Sequence, residues 1–124
     1  MRSPTVPRAV NNSTVWLTAE QDCEADGTHL AIVDSTAEIT GVMGLVPGQN
    51  VWLGTTDRLV IGTFRHVTGA TPTFLPWDTS EPDATALECV YSDSVTMKLS
   101  DQGCTSGRRY VCECDGVPAD TASY

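Results

Sequence analysis

The sequence predicts an α+β domain, and three observations carry that prediction. Two segments with helical spacing of apolar residues come first. Strand-like runs divided by turn signals fill the chain after residue 50. One long irregular stretch, residues 70–87, interrupts those strands. Helices first and strands later, without regular alternation, is the α+β pattern. A chain of 124 residues suits one domain.

Residues 1–12 are poorly specified, and the domain proper is expected over residues 13–114, with 115–124 as a tail. Asn11-Asn12-Ser13 and Asn12-Ser13-Thr14 both satisfy the N-glycosylation pattern, which matters only in a eukaryotic secretory setting. "TVWLTAEQDCEADG" reads as the first helix. Thr14 is placed to cap it, Trp16, Ala19 and Cys23 share a face, and Gly27 supplies a left-handed stop. "HLAIV" follows as a short buried strand. In "STAEITGVMGLV", Ser35 and Glu38 form a capping box, and Ile39, Val42, Met43 and Val46 line one face until Pro47-Gly48 ends it. "VWLGTTD" is a strand running into a turn, and "GTFRHVTG" is a strand closed by Thr68-Gly69. Long loops of ordered domains are usually functional, and Phe74, Trp77 and three prolines favour order in residues 70–87. "ECVYS", "VTMKL" and "RRYVCEC" read as three closing strands.

The formal charge of −9 excludes classes of partner. It argues against nucleic acid, which needs a basic face, and against anionic membrane surfaces. It suits cations and neutral ligands. No apolar run has the roughly 20 residues of a membrane-spanning helix, so no membrane insertion is expected. The opening "MRSPTVPRAV" lacks the apolar core of an intact signal peptide. Five cysteines stand at 23, 89, 104, 112 and 114, none with C-x2-C spacing. Cys112 and Cys114 are one apart on a strand and so face opposite ways, which suits zinc poorly. Two disulfides and one spare thiol fit better, which implies an oxidising, extracellular setting and a fragment or trimmed protein.

With "GTHLAIVDSTAE", "WLGTTDRLVIGTFRHVTG", "PWDTSEPD", "ECV", "LSDQGC" and "YVCE" following Trp16, Ala19 and Cys23 in order, residues 15–113 resemble the C-type lectin-like domain. The resemblance implies pairing of Cys23 with Cys112 and of Cys89 with Cys104. Cys114 is left over as a reactive thiol, an interchain link, the partner of a cysteine outside this chain, or an inert exposed thiol. It implies that Trp52 and Leu53 are core residues.

Sugar-binding members of that family hold calcium on the long loop. Calcium takes 6–8 oxygen ligands. A cis proline there is flanked by a carboxylate and an amide whose side chains turn the same way. Carried over residue by residue, Glu81 and Asp83 flank Pro82. Glu88 is the downstream acid, though the loop from Asp83 to Cys89 looks about a residue short. Ser100 and Asp101 stand where relatives have Asn-Asp, and Leu99 stands for the preceding tryptophan. Two departures matter. Glu-Pro-Asp matches neither the mannose-type Glu-Pro-Asn nor the galactose-type Gln-Pro-Asp, and Ser100 replaces the second amide. A carboxylate only accepts hydrogen bonds, whereas an amide also donates. The set Glu81, Asp83, Glu88, Ser100 and Asp101 therefore suits calcium better than it suits a sugar. Glu81, Asp83, Ser100 and Trp77 are the expected ligand-contacting residues. Trp77 either stacks on a sugar face or anchors the loop. Asp57 matches one acid of an auxiliary calcium site, but Ile61 and Ala84 stand where other acids belong. That site is expected to be absent and Asp57 to be a turn residue. His29 and His66 are expected to be structural, neither of them a metal ligand.

The expected function is calcium-dependent carbohydrate binding, with a glycoconjugate as partner. The alternative is calcium-independent recognition of a protein by the same scaffold. No Ser-His-Asp arrangement, P-loop, dinucleotide fingerprint or H-E-x-x-H is present, so an enzyme is not expected. Single shallow sites gain strength by multivalency, so an oligomer or multidomain parent fits.

Overall fold

The computed structural model describes residues 7–82 and 86–124. Strand β1 (Arg8–Thr14) leads into helix α1 (Trp16–Ala25), a two-residue β2 (His29–Leu30) and helix α2 (Thr36–Leu45). Five strands follow: β3 (Val51–Val60), β4 (Thr63–His66), β5 (Glu88–Ser92), β6 (Leu99–Gly103) and β7 (Arg108–Glu113). A 3-10 turn, Thr121–Ser123, comes last. The sheet order is β1-β7-β3-β5-β6, with β2 also on β7 and β4 also on β3. All pairings are antiparallel except β3 with β7, so the last strand inserts beside the first strand of the second half.

Within the poorly specified segment, residues 8–12 belong to a strand. Ala9 and Val10 pair with Val111 and Tyr110 of β7, and the backbone ladder holds a segment whose side chains are mostly exposed. Because Thr14 ends that strand, it does not cap α1. Val15 occupies the cap position, and the Thr14 hydroxyl donates instead to Asn12 O at 3.0 Å. Helix α1 buries Trp16, Ala19 and Cys23 as their spacing predicts, and also Glu20, which it does not predict. Gly27 ends the helix at φ 77°, its N–H on Glu24 O. In α2, Ser35 Oγ accepts from Glu38 N while Glu38 Oε1 accepts from Asp34 N, one residue ahead of the reciprocal capping-box partner.

Two further expectations shift. The "HLAIV" strand shrinks to two residues, because Ala31 N reaches Val111 O and Gly54 N reaches Ala31 O in isolated contacts. "VTMKL" is not a strand before Leu99. Asp93 Oδ1 accepts from Val95 N and Thr96 N, and this side-chain turn bends residues 93–98 into a loop.

Apolar residues pack on both faces of the sheet. Val51, Leu53, Val90, Leu99 and Val111 meet Ile39, Met43 and Val46 on one face. Trp16, Ala19, Leu30, Trp52, Val67 and Tyr110 meet on the other. Alternation along β3 sends Trp52 and Leu53 to opposite sides, and both are fully buried. Each tryptophan satisfies its indole N–H on a carbonyl, Trp16 on Leu53 O and Trp52 on Thr14 O, both at 2.8 Å. Disulfides join Cys23 to Cys112 and Cys89 to Cys104, and among the described residues Cys114 is the free thiol. The first ties α1 to β7, and the second ties β5 to the turn after β6. Residues 115–124 fold back on the domain. Asp120 N donates to Val67 O, Ser123 is buried, and the Tyr124 ring meets Trp16 edge-on at 5.4 Å.

Candidate metal and ligand site on the long loop

The loop between β4 and β5 is held by its aromatic and apolar residues. Phe74, Leu75 and Trp77 pack against the core face that contains Val90 and Leu99. Trp77 bridges Leu99 in parallel. Leu99 N donates to Pro76 O at 3.0 Å and Asp78 N to Leu99 O at 2.7 Å. The Trp77 ring lies 5.0 Å from Phe64, tilted by 58°. That contact makes the half-buried Trp77 an anchor of the loop, whatever face it leaves toward a ligand.

Asp78 then shapes the approach to Glu81. Its Oδ1 accepts from Thr79 N, its Oδ2 from the Thr96 hydroxyl, and its carbonyl from Glu81 N at 3.0 Å. Ser80 takes the left-handed conformation at φ 68°, and the Glu81–Pro82 bond is cis. Hydrogen bonding from Thr96 and then Thr79 N holds the Asp78 carboxyl below its ordinary range. Asp83 lies outside the described residues.

Glu88 opens β5 and Asp101 sits in the middle of β6, both buried. The register pairs Glu88 with Gly103 and Val90 with Asp101, without a bulge. Glu88, Val90, Leu99 and Asp101 therefore share one face of the ladder. Ser100, paired with Tyr91, falls on the other face. Glu88 and Asp101 thus lie on the same ladder face, the one where the Trp77 segment docks. It sets the Ser100 side chain across the sheet from them.

Asp57 is not the turn residue expected of it. It lies inside β3, is fully buried, and holds two backbone donors: Glu88 N on Oδ1 at 2.6 Å and Gly62 N on Oδ2 at 2.9 Å. The turn comes later, at Gly62 with φ 85°, because β3 runs on to Val60. Asp57 and Asp78 are the positioning residues that sequence reading missed. For Asp78 the Asp-Thr pair in a proline-rich loop was a usable signal. For Asp57 nothing local distinguishes a buried strand acid from a turn.

A family model described as Lectin C-type domain matches residues 12–114. The chain belongs to the C-type lectin domain family. Human C-type lectin domain family 3 member A is 37% identical over 102 residues, covering 77% of this chain and 52% of the relative. The chain therefore spans about half the length of that relative. Among solved structures, the mouse scavenger receptor C-type lectin carbohydrate-recognition domain superposes with TM-score 0.79 at 20% identity, covering 95% of both chains. A calcium-independent type II antifreeze protein superposes with TM-score 0.78 at 19% identity, covering 90% of this chain and 87% of its own. These two likenesses establish the α+β C-type lectin-like fold. Among the described residues, no helix is long and apolar enough to cross a membrane.

Proposed function

We propose that this C-type lectin domain is a recognition module, not an enzyme, that binds calcium on its long loop and presents that ion to a carbohydrate in an extracellular setting. The observation that carries this reading is the placement of Glu88 and Asp101, both buried, on the ladder face against which the Trp77 segment docks. Carboxylates that share one face favour a cation beside them. The donor set is all oxygen, as a hard cation prefers. Glu81 would close it from the loop, with Asp83 as its expected neighbour. The net charge of −9 acts in the same direction. When bound, calcium would supply open coordination positions for ligand hydroxyls, while the carboxylates would accept hydrogen bonds from those hydroxyls.

One observation favours a second reading, calcium-independent protein recognition. Ser100 faces away from Asp101, so the face that holds Glu88 and Asp101 lacks the hydroxyl expected to replace the amide. One similar fold is that of an antifreeze protein described as calcium-independent.

Thermal melts with calcium and with chelator separate the two, repeated on Asp101→Ala and Asp83→Ala. Calcium should raise the melting temperature of the parent and lose that effect in both variants, and retention on sugar columns should vanish with chelator. A melting temperature indifferent to calcium, with no calcium bound in a titration, refutes the first reading.

A further inference from the structure

We propose that His29, Glu113 and Asp115 form a second, separate metal site, which takes a divalent cation of the zinc class. One ligand atom from each lies within 4.8 Å of the other two. The topology makes this cluster. His29 pairs directly with Glu113 across β2 and β7, so their side chains share a face, and Asp115 follows two residues later.

Donor and acceptor logic at the imidazole points to a cation. His29 Nδ1 lies 2.8 Å from Leu30 O. A carbonyl only accepts, so Nδ1 carries the proton, and a neutral ring leaves its lone pair on Nε2. Nε2 in turn lies 2.9 Å from Asp115 Oδ1, which also only accepts when ionised. Something positive must sit between them, either a second ring proton or a metal ion.

The surrounding bonds match a metal site. Each candidate ligand is already fixed by a backbone group: His29 by Leu30 O, Glu113 Oε1 by Ile32 N at 3.0 Å, and Asp115 Oδ1 by Val117 N at 2.9 Å. Such outer hydrogen bonds set the tautomer and aim of ligating groups. One imidazole with two carboxylates suits zinc rather than calcium, and three protein ligands leave a fourth position open. The His29 ring is buried, and Asp115 lines a cavity of about 220 Å³ with Asp34 and His66. A bound ion would join β2, β7 and the segment that follows β7.

The test is a zinc titration by calorimetry at saturating calcium, on tag-free protein with Cys114 alkylated. One zinc should bind per chain, and zinc should raise the melting temperature. Asp115→Asn, at a partly exposed position, should leave the circular dichroism spectrum intact and weaken zinc binding at least tenfold. His29→Gln should abolish it. Should His29→Gln fail to fold, cobalt absorption of the parent against Asp115→Asn decides the matter, with tetrahedral bands expected only in the parent. The proposal is overturned if no zinc binds, or if Asp115→Asn binds zinc like the parent. Calcium binding at the long loop is scored separately, by Asp101→Ala, which should leave the zinc titration unchanged.

Discussion

Asp57 Oδ1 accepts a hydrogen bond from Glu88 N at 2.6 Å, and this contact fastens the interior of β3 to the first residue of β5. The other oxygen holds Gly62 N, so one buried carboxylate positions both the β3–β4 turn and the base of the long loop. Asp57→Ala removes two acceptors at once and leaves a buried N–H without a partner. The cost should be about 2–5 kcal/mol, read as a lower midpoint in urea unfolding. Asp57→Asn keeps one carbonyl oxygen but turns an amide donor toward a backbone N–H, so it should recover only part of the loss. Equal stability of Asp57→Ala and the parent would show that the contact does no structural work.

Gly54 makes a second prediction, from closeness rather than charge. A Cβ built there would meet Leu30 O at 2.5 Å and Val67 Cγ2 at 3.1 Å. The nearer atom is backbone and cannot swing away. Leu30 O also accepts from His29 Nδ1, so pushing it aside disturbs the imidazole too. Gly54→Ala should lower stability by about 1–3 kcal/mol or more, measured by thermal or urea unfolding. The same change at Gly44, where a Cβ meets nothing within 4 Å, is the control and should be neutral or mildly stabilising.

What was legible in the sequence was whatever depends on local spacing. Trp16, Ala19 and Cys23 announce a buried helix face, Ser35 and Glu38 a helix start, and Trp52 with Leu53 a strand buried on both sides. The cysteine pairing came from resemblance, since spacing alone could not choose it. What stayed hidden depends on partners far along the chain. Strand β1 exists because β7 offers it a ladder, not because its own residues favour a strand. Asp57 looks like a turn acid until residue 88 arrives beside it. The contact between His29 and Asp115 stayed hidden because Asp115 comes from the far end of the sequence. Glu88 and Asp101 were named by motif, and they fall on β5 and β6. The opposite facing of Ser100 needed the β5–β6 register.

Glu20 makes the third prediction, one of pH. It is fully buried on α1, where Oε1 accepts from Leu30 N at 2.9 Å. Burial first, and then its hydrogen bond with Glu24, raises its pKa to about 9 from an ordinary 4.5. The folded protein therefore holds a proton on Glu20 that the unfolded chain releases above about pH 4.5. For an acid shifted upward, stability is complete below the unfolded value and declines as pH rises toward the folded one. Glu113, also raised, acts with the same sign. His66 acts oppositely below about 6.5, because burial lowers its pKa. Asp22, lowered first by the Tyr110 hydroxyl, acts only below its ordinary 3.8. Between about pH 6.5 and 8.5 the Glu20 proton should dominate, with a loss of up to about 2.7 kcal/mol for one group at full linkage. Glu20→Gln keeps an oxygen for Leu30 N and a donor for Glu24 without titrating. Melting temperatures across that range should fall for the parent and fall much less for Glu20→Gln. Parallel slopes in the two proteins would mean that Glu20 is ionised in the fold, and its burial would then need a cationic partner.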